Sequence, residues 1–271
     1  MNFASTRPSS GISEIPTTGR VLGVIPARLA SSRLPRKPLH PLLGRPLIQW
    51  AAERALRMSV LDTVVVATDA EEVAESCRDL GVPVLLTSPD HPSGTDRVAE
   101  VVRKAPYDDF GIVVNLQGDE PLLDERHVSA AVGEVVRGFE IGTCATPVRS
   151  LGNWHSASVV KVVRRTDGSA LYFSRASIPH QREGVPSADA LRAPPFLRHL
   201  GLYAYRREAL LRWVFLPPSP LEELERLEQL RALEAGMKIG VAVVDRAERG
   251  VDTEEDARIV EQRMRELGLG S

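Results

Sequence analysis

An α/β fold built on a doubly wound, mostly parallel sheet is predicted by three features of the chain. Short apolar runs alternate with segments of helical period, the order expected of βαβ units. Those runs are apolar throughout rather than at every second residue, as in strands buried on both faces. The polar and charged loops fall directly after the strands, where open α/β sheets bind ligands.

Taken in order, residues 1–20 are rich in Ser, Thr, Pro and Gly. They lack the apolar core of a signal peptide and are expected to form a disordered tail ahead of one domain over 21–271. VLGVI (21–25) reads as the first strand, and Pro46 opens a helix through Met58, where its missing N–H costs nothing. TVVVAT (63–68) is the second strand. Asp69 is placed to cap the helix AEEVAESCRDL, which Gly81 ends. VPVLL (82–86), the helix TDRVAEVVRK (95–104) and IVVNL (112–116) follow. After Gly142 the runs shorten to TCATPV, VVKVV and LGLYAY, with a polar, Pro-rich stretch over 180–195. An embedded antiparallel lobe is expected over about 142–205. SPLEELERLEQLRALEAG (219–236) reads as one helix, KIGVAVV (238–244) as a strand, and a last helix starts near Glu254. Trp154, Tyr172 and Phe173 read as core aromatics of the lobe. There is no internal repeat.

Composition narrows the function. Formal net charge is -2, with acids and bases interleaved, which argues against nucleic acid as a partner. No apolar run is long enough to span a membrane. The two cysteines, Cys77 and Cys144, have no CxxC neighbours. They fit a reducing cytoplasm better than a disulfide scaffold or a thiolate metal site. None of the six histidines has metal-ligand spacing, and His40, His91, His127 and His155 read as ordinary loop or surface residues.

Three loops carry the chemistry. VIPARLASSRLPRKPL (24–39) sets Arg28, Arg33, Arg36 and Lys37 after strand one with no acid between them. Such a cluster suits phosphate oxygens, though a solvated surface loop has the same look. Neither a P-loop nor a G-x-G-x-x-G motif is present. NLQGDEP (115–121) brings Asp119 and Glu120 to the same sheet edge, with Gly118 permitting a sharp turn. Carboxylates facing an anion call for a cation between them, and Mg²⁺ takes one or two carboxylates plus phosphate oxygens. The alternative is an acidic turn capping the next helix, for which Asp124 is suited. In RGVDTEEDA (249–257), Asp252 has the local pattern of a helix N-cap, with Glu255 completing a capping box.

PARLASSRLPRKPL, DHPSGTDR, NLQGDEP, VVKVV with ALYFSRASIP, FLRHLGLYAYR, SPLEELERLEQLR and GVDTEED stand in this order from about Val21 to Leu267. Together they resemble the 3-deoxy-manno-octulosonate (Kdo) cytidylyltransferases, the CMP-Kdo synthetases. The resemblance implies a nucleotide-diphospho-sugar transferase-like fold in the cytoplasm, a homodimer formed through the embedded lobe, and CMP transfer from CTP to the 2-hydroxyl of Kdo. By motif, Arg28 and Lys37 would hold the CTP phosphates, with Arg33 less defined and Arg36 left as surface charge. Ser93, Gly94, Thr95 and Arg97 would belong to the nucleotide pocket, helix capping being the plain role of Ser93 or Thr95. Asp119 and Asp252 would hold Mg²⁺, two ions dividing the work between triphosphate and sugar. Gln117, Arg175, His199, Tyr203, Glu228 and Gln229 would face the sugar, Arg175 and His199 suiting its carboxylate.

Glu228 has a clue of its own. On a continuous helix it would lie in line with Leu221, Leu224, Ala232 and Ala235, so it should meet a cation, a hydroxyl-rich ligand or solvent, or pair with Arg231. Two alternatives stay open: a cytidylyltransferase for 8-amino-Kdo or another acid sugar, and a nucleotide-sensing module without catalysis.

Overall fold

The computed structural model describes residues 19–31 and 33–270. Most of the tail expected over 1–20 lies outside the described residues. Arg20, at its end, already joins the domain: its guanidinium lies 3.1 Å from Asp109 and 4.1 Å from the centroid of the Phe110 ring.

The first half runs β1 (Val21–Ala27), β2 (Pro41–Leu42), β3 (Arg45–Pro46), α1 (Leu47–Leu56), β4 (Thr63–Thr68), α2 (Glu71–Cys77), β5 (Val84–Leu86), α3 (Gly94–Val101), β6 (Ile112–Asn115) and α4 (Glu125–Val136). The second half runs β7 (Ile141–Pro147), α5 (Leu151–His155), β8 (Lys161–Arg164), β9 (Ala170–Ser174), β10 (Leu197–Arg206), α6 (Arg207–Val214), α7 (Pro220–Glu225), α8 (Gln229–Glu234), β11 (Ile239–Val243) and α9 (Glu254–Glu266).

One sheet carries the molecule, in the order β11-β7-β10-β6-β1-β4-β5. β6, β1, β4 and β5 are mutually parallel, as are β7 and β11, and β10 runs antiparallel between β6 and β7. Leu22, Val24 and Ile25 of β1 are fully buried, Val24 in the core on one face and Ile25 in the core on the other. That explains the unbroken apolar run. On one face α4 lies so close to β7 that a Cβ on Gly142 would sit 1.9 Å from the Ala131 carbonyl oxygen. Within the segment expected as a lobe, β8 and β9 form an antiparallel hairpin on the start of β10, whereas β7 and the rest of β10 are strands of the main sheet. Phe173 is buried in the main core, and Trp154 packs with Val148, Leu191 and Phe196.

Three local expectations are corrected. Pro46 precedes α1 instead of filling its first turn. Asp69 does not cap α2, whose N-cap is Ala70 with no side-chain bond; its carboxylate pairs with Arg97 at 3.0 Å. The single helix over 219–236 is two. α7 starts in a Ser219–Glu222 capping box and stops at Arg226, which has φ 54 in the left-handed region. Arg231 pairs with Glu222 at 2.7 Å and not with Glu228, tying α8 back to the start of α7. The line of apolar residues through Glu228 is thereby broken, and Leu224 is 81% exposed. No helix among the described residues is long and apolar enough to cross a membrane.

Candidate active site

The carboxyl ends of β1 and β6 lie side by side, with Val24 paired to Asn115. Their loops therefore open onto one place. A cleft of about 770 Å³ there is lined by Arg28, Arg33, Lys37, Asp119, Asp252 and the start of α3. Asp252 arrives from the far end of the chain because its segment lies flat on the β6 loop: Val251 N donates to Asp119 O at 2.8 Å. Gly250 makes the approach possible, since a Cβ there would stand 3.3 Å from that same oxygen. Gly118 is not in left-handed backbone; its smallness serves a close approach to the Pro26 carbonyl, 3.3 Å from where a Cβ would be.

Lys37 Nζ donates to Asp119 Oδ2 and, at 2.8 Å, to Asp252 Oδ1. Arg33 closes on the other Asp252 oxygen at 2.8 Å. Burial works against the Lys37 ammonium, but the two carboxylates outweigh it and raise its pKa. Asp252 is not the helix cap its local sequence suggests. Thr253 caps α9 in a box with Asp256, and the Asp252 carboxylate is turned to the cleft. Asp124 caps α4, so Asp119 too is released from capping. Two carboxylates thus converge on one small cation. Among the described residues no cluster of three or more His, Cys, Asp or Glu is arranged for a metal. A donor set of two carboxylates, open to further oxygens from a ligand, fits a hard dication such as Mg²⁺.

The other predicted residues of the first cleft sort by role. Arg28 is exposed and lines it. Ser93 caps α3, accepting from Asp96 N at 3.2 Å. Arg97 is buried between Asp69 and Thr87, with its edge on the cleft. Arg36 is paired with Glu72 on the surface.

A second cavity of about 440 Å³ adjoins the first and shares Pro26, Gly94 and Gln117 with it. It contains His199, Tyr203, Glu228 and Gln229. Gln117 is held by Nε2 donating to Gly201 O at 3.0 Å, at the bulge where β10 shifts register against β7. His199 Nε2 meets Thr143 Oγ1 at 2.9 Å, and burial pushes its pKa down to about 3. Tyr203 stacks on Tyr205, and burial raises its phenol well above the usual range. Glu228 is exposed along its length and lines the cavity; desolvation raises its pKa, against a bond from Thr95 Oγ1 at 3.2 Å.

The chain compares directly with known proteins. A family model described as cytidylyltransferase matches residues 22–239. A relative from Gemmatimonas aurantiaca is 50% identical over 87% of this chain and 91% of its own, and one from Syntrophotalea carbinolica is 46% identical over 91% and 99%. Both are named 3-deoxy-manno-octulosonate cytidylyltransferase. The chain belongs to the 3-deoxy-manno-octulosonate cytidylyltransferases.

Members of this family are nucleotidyltransferases. A solved CMP:2-keto-3-deoxy-manno-octonic acid synthetase complexed with CTP superposes with a TM-score of 0.83 at 39% identity, covering 92% of this chain and 99% of that one. A 4-diphosphocytidyl-2C-methyl-D-erythritol synthase from Anaerococcus prevotii shares the fold, with a TM-score of 0.61 at 12% identity.

For a cytidylyltransferase of this family, two site features differ from the sequence reading. Arg175 lies outside both cavities. Its guanidinium donates to the carbonyls of Glu225 (2.8 Å), Ala157 (3.0 Å) and Arg226 (3.3 Å). Arg198, Asn115 and the 158–160 loop were not singled out, yet all line the second cavity. Asn115 is buried and its Oδ1 has no hydrogen-bond partner among the described residues. Glu120, beside Asp119, is pushed up to about 7 by burial and by that neighbouring charge. Only residue type could have flagged these; their convergence is tertiary.

Proposed function

We propose that the chain transfers CMP from CTP to the 2-hydroxyl of Kdo and releases pyrophosphate. The observation that carries this reading is the pair of adjoining cavities. One is lined by Arg28, Arg33 and Lys37 with Asp119 and Asp252, the other by His199, Tyr203, Glu228 and Gln229, and Gln117 stands between them. A triphosphate in the first and an acid sugar in the second would meet at that junction, which suits in-line attack on the α-phosphate. The relative solved with CTP supports the nucleotide.

Asp119 and Asp252 would hold Mg²⁺, which supplies charge neutralisation at the phosphates and acidifies a nearby hydroxyl. Arg28 and Arg33 would take phosphate oxygens, and Lys37 would share its ammonium with the departing pyrophosphate. His199 is too weak a base at neutral pH to take the hydroxyl proton, given a pKa of about 3; it would orient the sugar as a neutral hydrogen-bonding group. Ser93, Gly94, Thr95 and Arg97 would contribute to the nucleotide pocket, Arg97 as a brace held by Asp69. The buried free thiols of Cys77 and Cys144 fit a reducing cytoplasm.

Pyrophosphate release with CTP and Mg²⁺ tests the reading. It should require Kdo and should not occur with N-acetylneuraminate as acceptor. Release independent of acceptor, or none with Kdo, would refute it.

A further inference from the structure

The start of α3 lines the first cleft through Ser93, Gly94 and Arg97. It stands close against β1, since a Cβ on Gly94 would lie 3.5 Å from Pro26 Cγ. The loop that leads into it, 88–93, has few backbone bonds of its own. Thr87 N donates to Thr68 O at 2.8 Å just before the loop, and Ser93 caps α3 at its end. Between them Pro89 and Pro92 have no N–H. Asp90 N turns to Ser88 Oγ within the loop. Among the described residues no N–H of 88–93 donates to a backbone carbonyl.

One carboxylate ties the loop to the helix. Glu100, near the other end of α3, accepts on Oε2 from Ser88 N at 3.0 Å and meets His91 Nε2 with the same oxygen. Its Oε1 accepts from Lys104 Nζ at 2.6 Å. His91, which the sequence offers as an ordinary loop residue, is thereby turned inward, its side chain only 18% exposed. Burial disfavours the Glu100 carboxylate, but the bonds from Lys104, His91 and Ser88 outweigh it and hold its pKa down to about 2. Hydrogen bonds to a charged acceptor are stronger than neutral ones. The two oxygens divide the work: Oε2 holds the loop, and Oε1 holds only the exposed Lys104.

We propose that Glu100 is a positioning residue for the nucleotide: through Ser88 and His91 it fixes the 88–93 loop, so that Ser93 and Gly94 stand ready at the cleft. The proposal rests on the reading of the first cleft as the CTP site. Glu100 lines neither cavity and touches no substrate, so it acts by setting the loop in its bound shape before CTP arrives. Ordering a loop in advance removes part of the entropic cost of binding. The effect belongs to the α3 side of the cleft, away from Lys37, Asp119 and Asp252.

The test compares wild type with Glu100→Ala, Glu100→Gln, His91→Ala and Lys104→Ala, by kinetics and by calorimetry with CTP and with pyrophosphate, each with Mg²⁺. Glu100→Ala should raise the KM for CTP roughly tenfold or more and weaken CTP binding by a similar factor, with kcat and the KM for Kdo little changed. Pyrophosphate, which needs only the basic end of the cleft, should bind as before. Glu100→Gln keeps one acceptor for the loop and should recover part of the loss. His91→Ala should show part of the same defect and add little to Glu100→Ala in the double variant, because both remove one contact. Lys104→Ala should leave the KM for CTP at the wild-type value. An unchanged KM for CTP in Glu100→Ala, an equal rise in Lys104→Ala, or an equal loss of pyrophosphate binding overturns the proposal. If Glu100→Ala fails to fold, Glu100→Gln and His91→Ala decide by the same measurements. Wild type that binds no CTP would instead refute the underlying reading of the cleft.

Discussion

Asp252 shows how a single carboxylate is assigned. Its neighbours make it look like a cap, and Thr253 with Asp256 does that work one residue on. What remains for Asp252 is its charge, shared with Lys37 and Arg33. Asp252→Asn should therefore leave the melting temperature within a few degrees of wild type and still bind CTP. Turnover should fall by on the order of a hundredfold or more, since a hard dication needs the charged oxygen. Asp119→Asn should behave alike. Near-normal turnover in a folded Asp252→Asn protein would return the residue to a structural role. At this scale the sequence was legible wherever a residue's motif included its partners. It was illegible for Arg198 and Asn115, because nothing local distinguishes a strand residue that faces a cavity from one that faces the core.

Between elements, the second cavity depends on two walls, the 156–160 loop and the turn between α7 and α8. A buried lysine and an arginine knit them together. Lys161 holds Ser156 and Val159 to Arg175, and Arg175 reaches the carbonyls of Glu225 and Arg226. Glu225 returns the contact by accepting from Arg175 N at 2.9 Å and from Ser174 Oγ. Lys161→Met keeps the length and removes the ammonium, leaving three carbonyls short of a donor. The cost should be about 3 kcal/mol or more, read as a lower melting temperature. The KM for Kdo should rise while CTP affinity holds. A wild-type melting temperature would show that the brace bears no weight. The break at Arg226 was hidden from sequence because Leu221, Leu224, Leu227 and Leu230 keep helical spacing across it; periodicity reports which residues are apolar, not whether the backbone is continuous. β1, β4 and β6 were read well for the opposite reason, as burial on both faces favours apolar residues at nearly every position.

For the whole molecule, nucleotidyltransfer follows from four distant segments gathered at one edge of the sheet. Parallel β1 and β6 supply the basic and acidic loops, α9's leading segment supplies Asp252, and antiparallel β10 supplies the second cavity. We propose in addition that the chain works as a homodimer through the region around β8 and β9. Leu171 and Val185 there are 48% and 58% exposed, respectively. Light scattering on the full chain should give twice the mass of the monomer, and a monomer at micromolar concentration would contradict this. The fold class was legible because alternation of strand and helix is written in the sequence. Where β7 and β10 join the main sheet was not, since strand pairing is a long-range choice.

The central claim, CMP transfer to Kdo, is tested most directly by ³¹P NMR of the full chain with CTP, Kdo and Mg²⁺. The triphosphate signals should disappear as one pyrophosphate and one phosphodiester to the Kdo 2-oxygen appear in equal amounts. Free CMP in place of the diester, or CTP left unchanged, would contradict it.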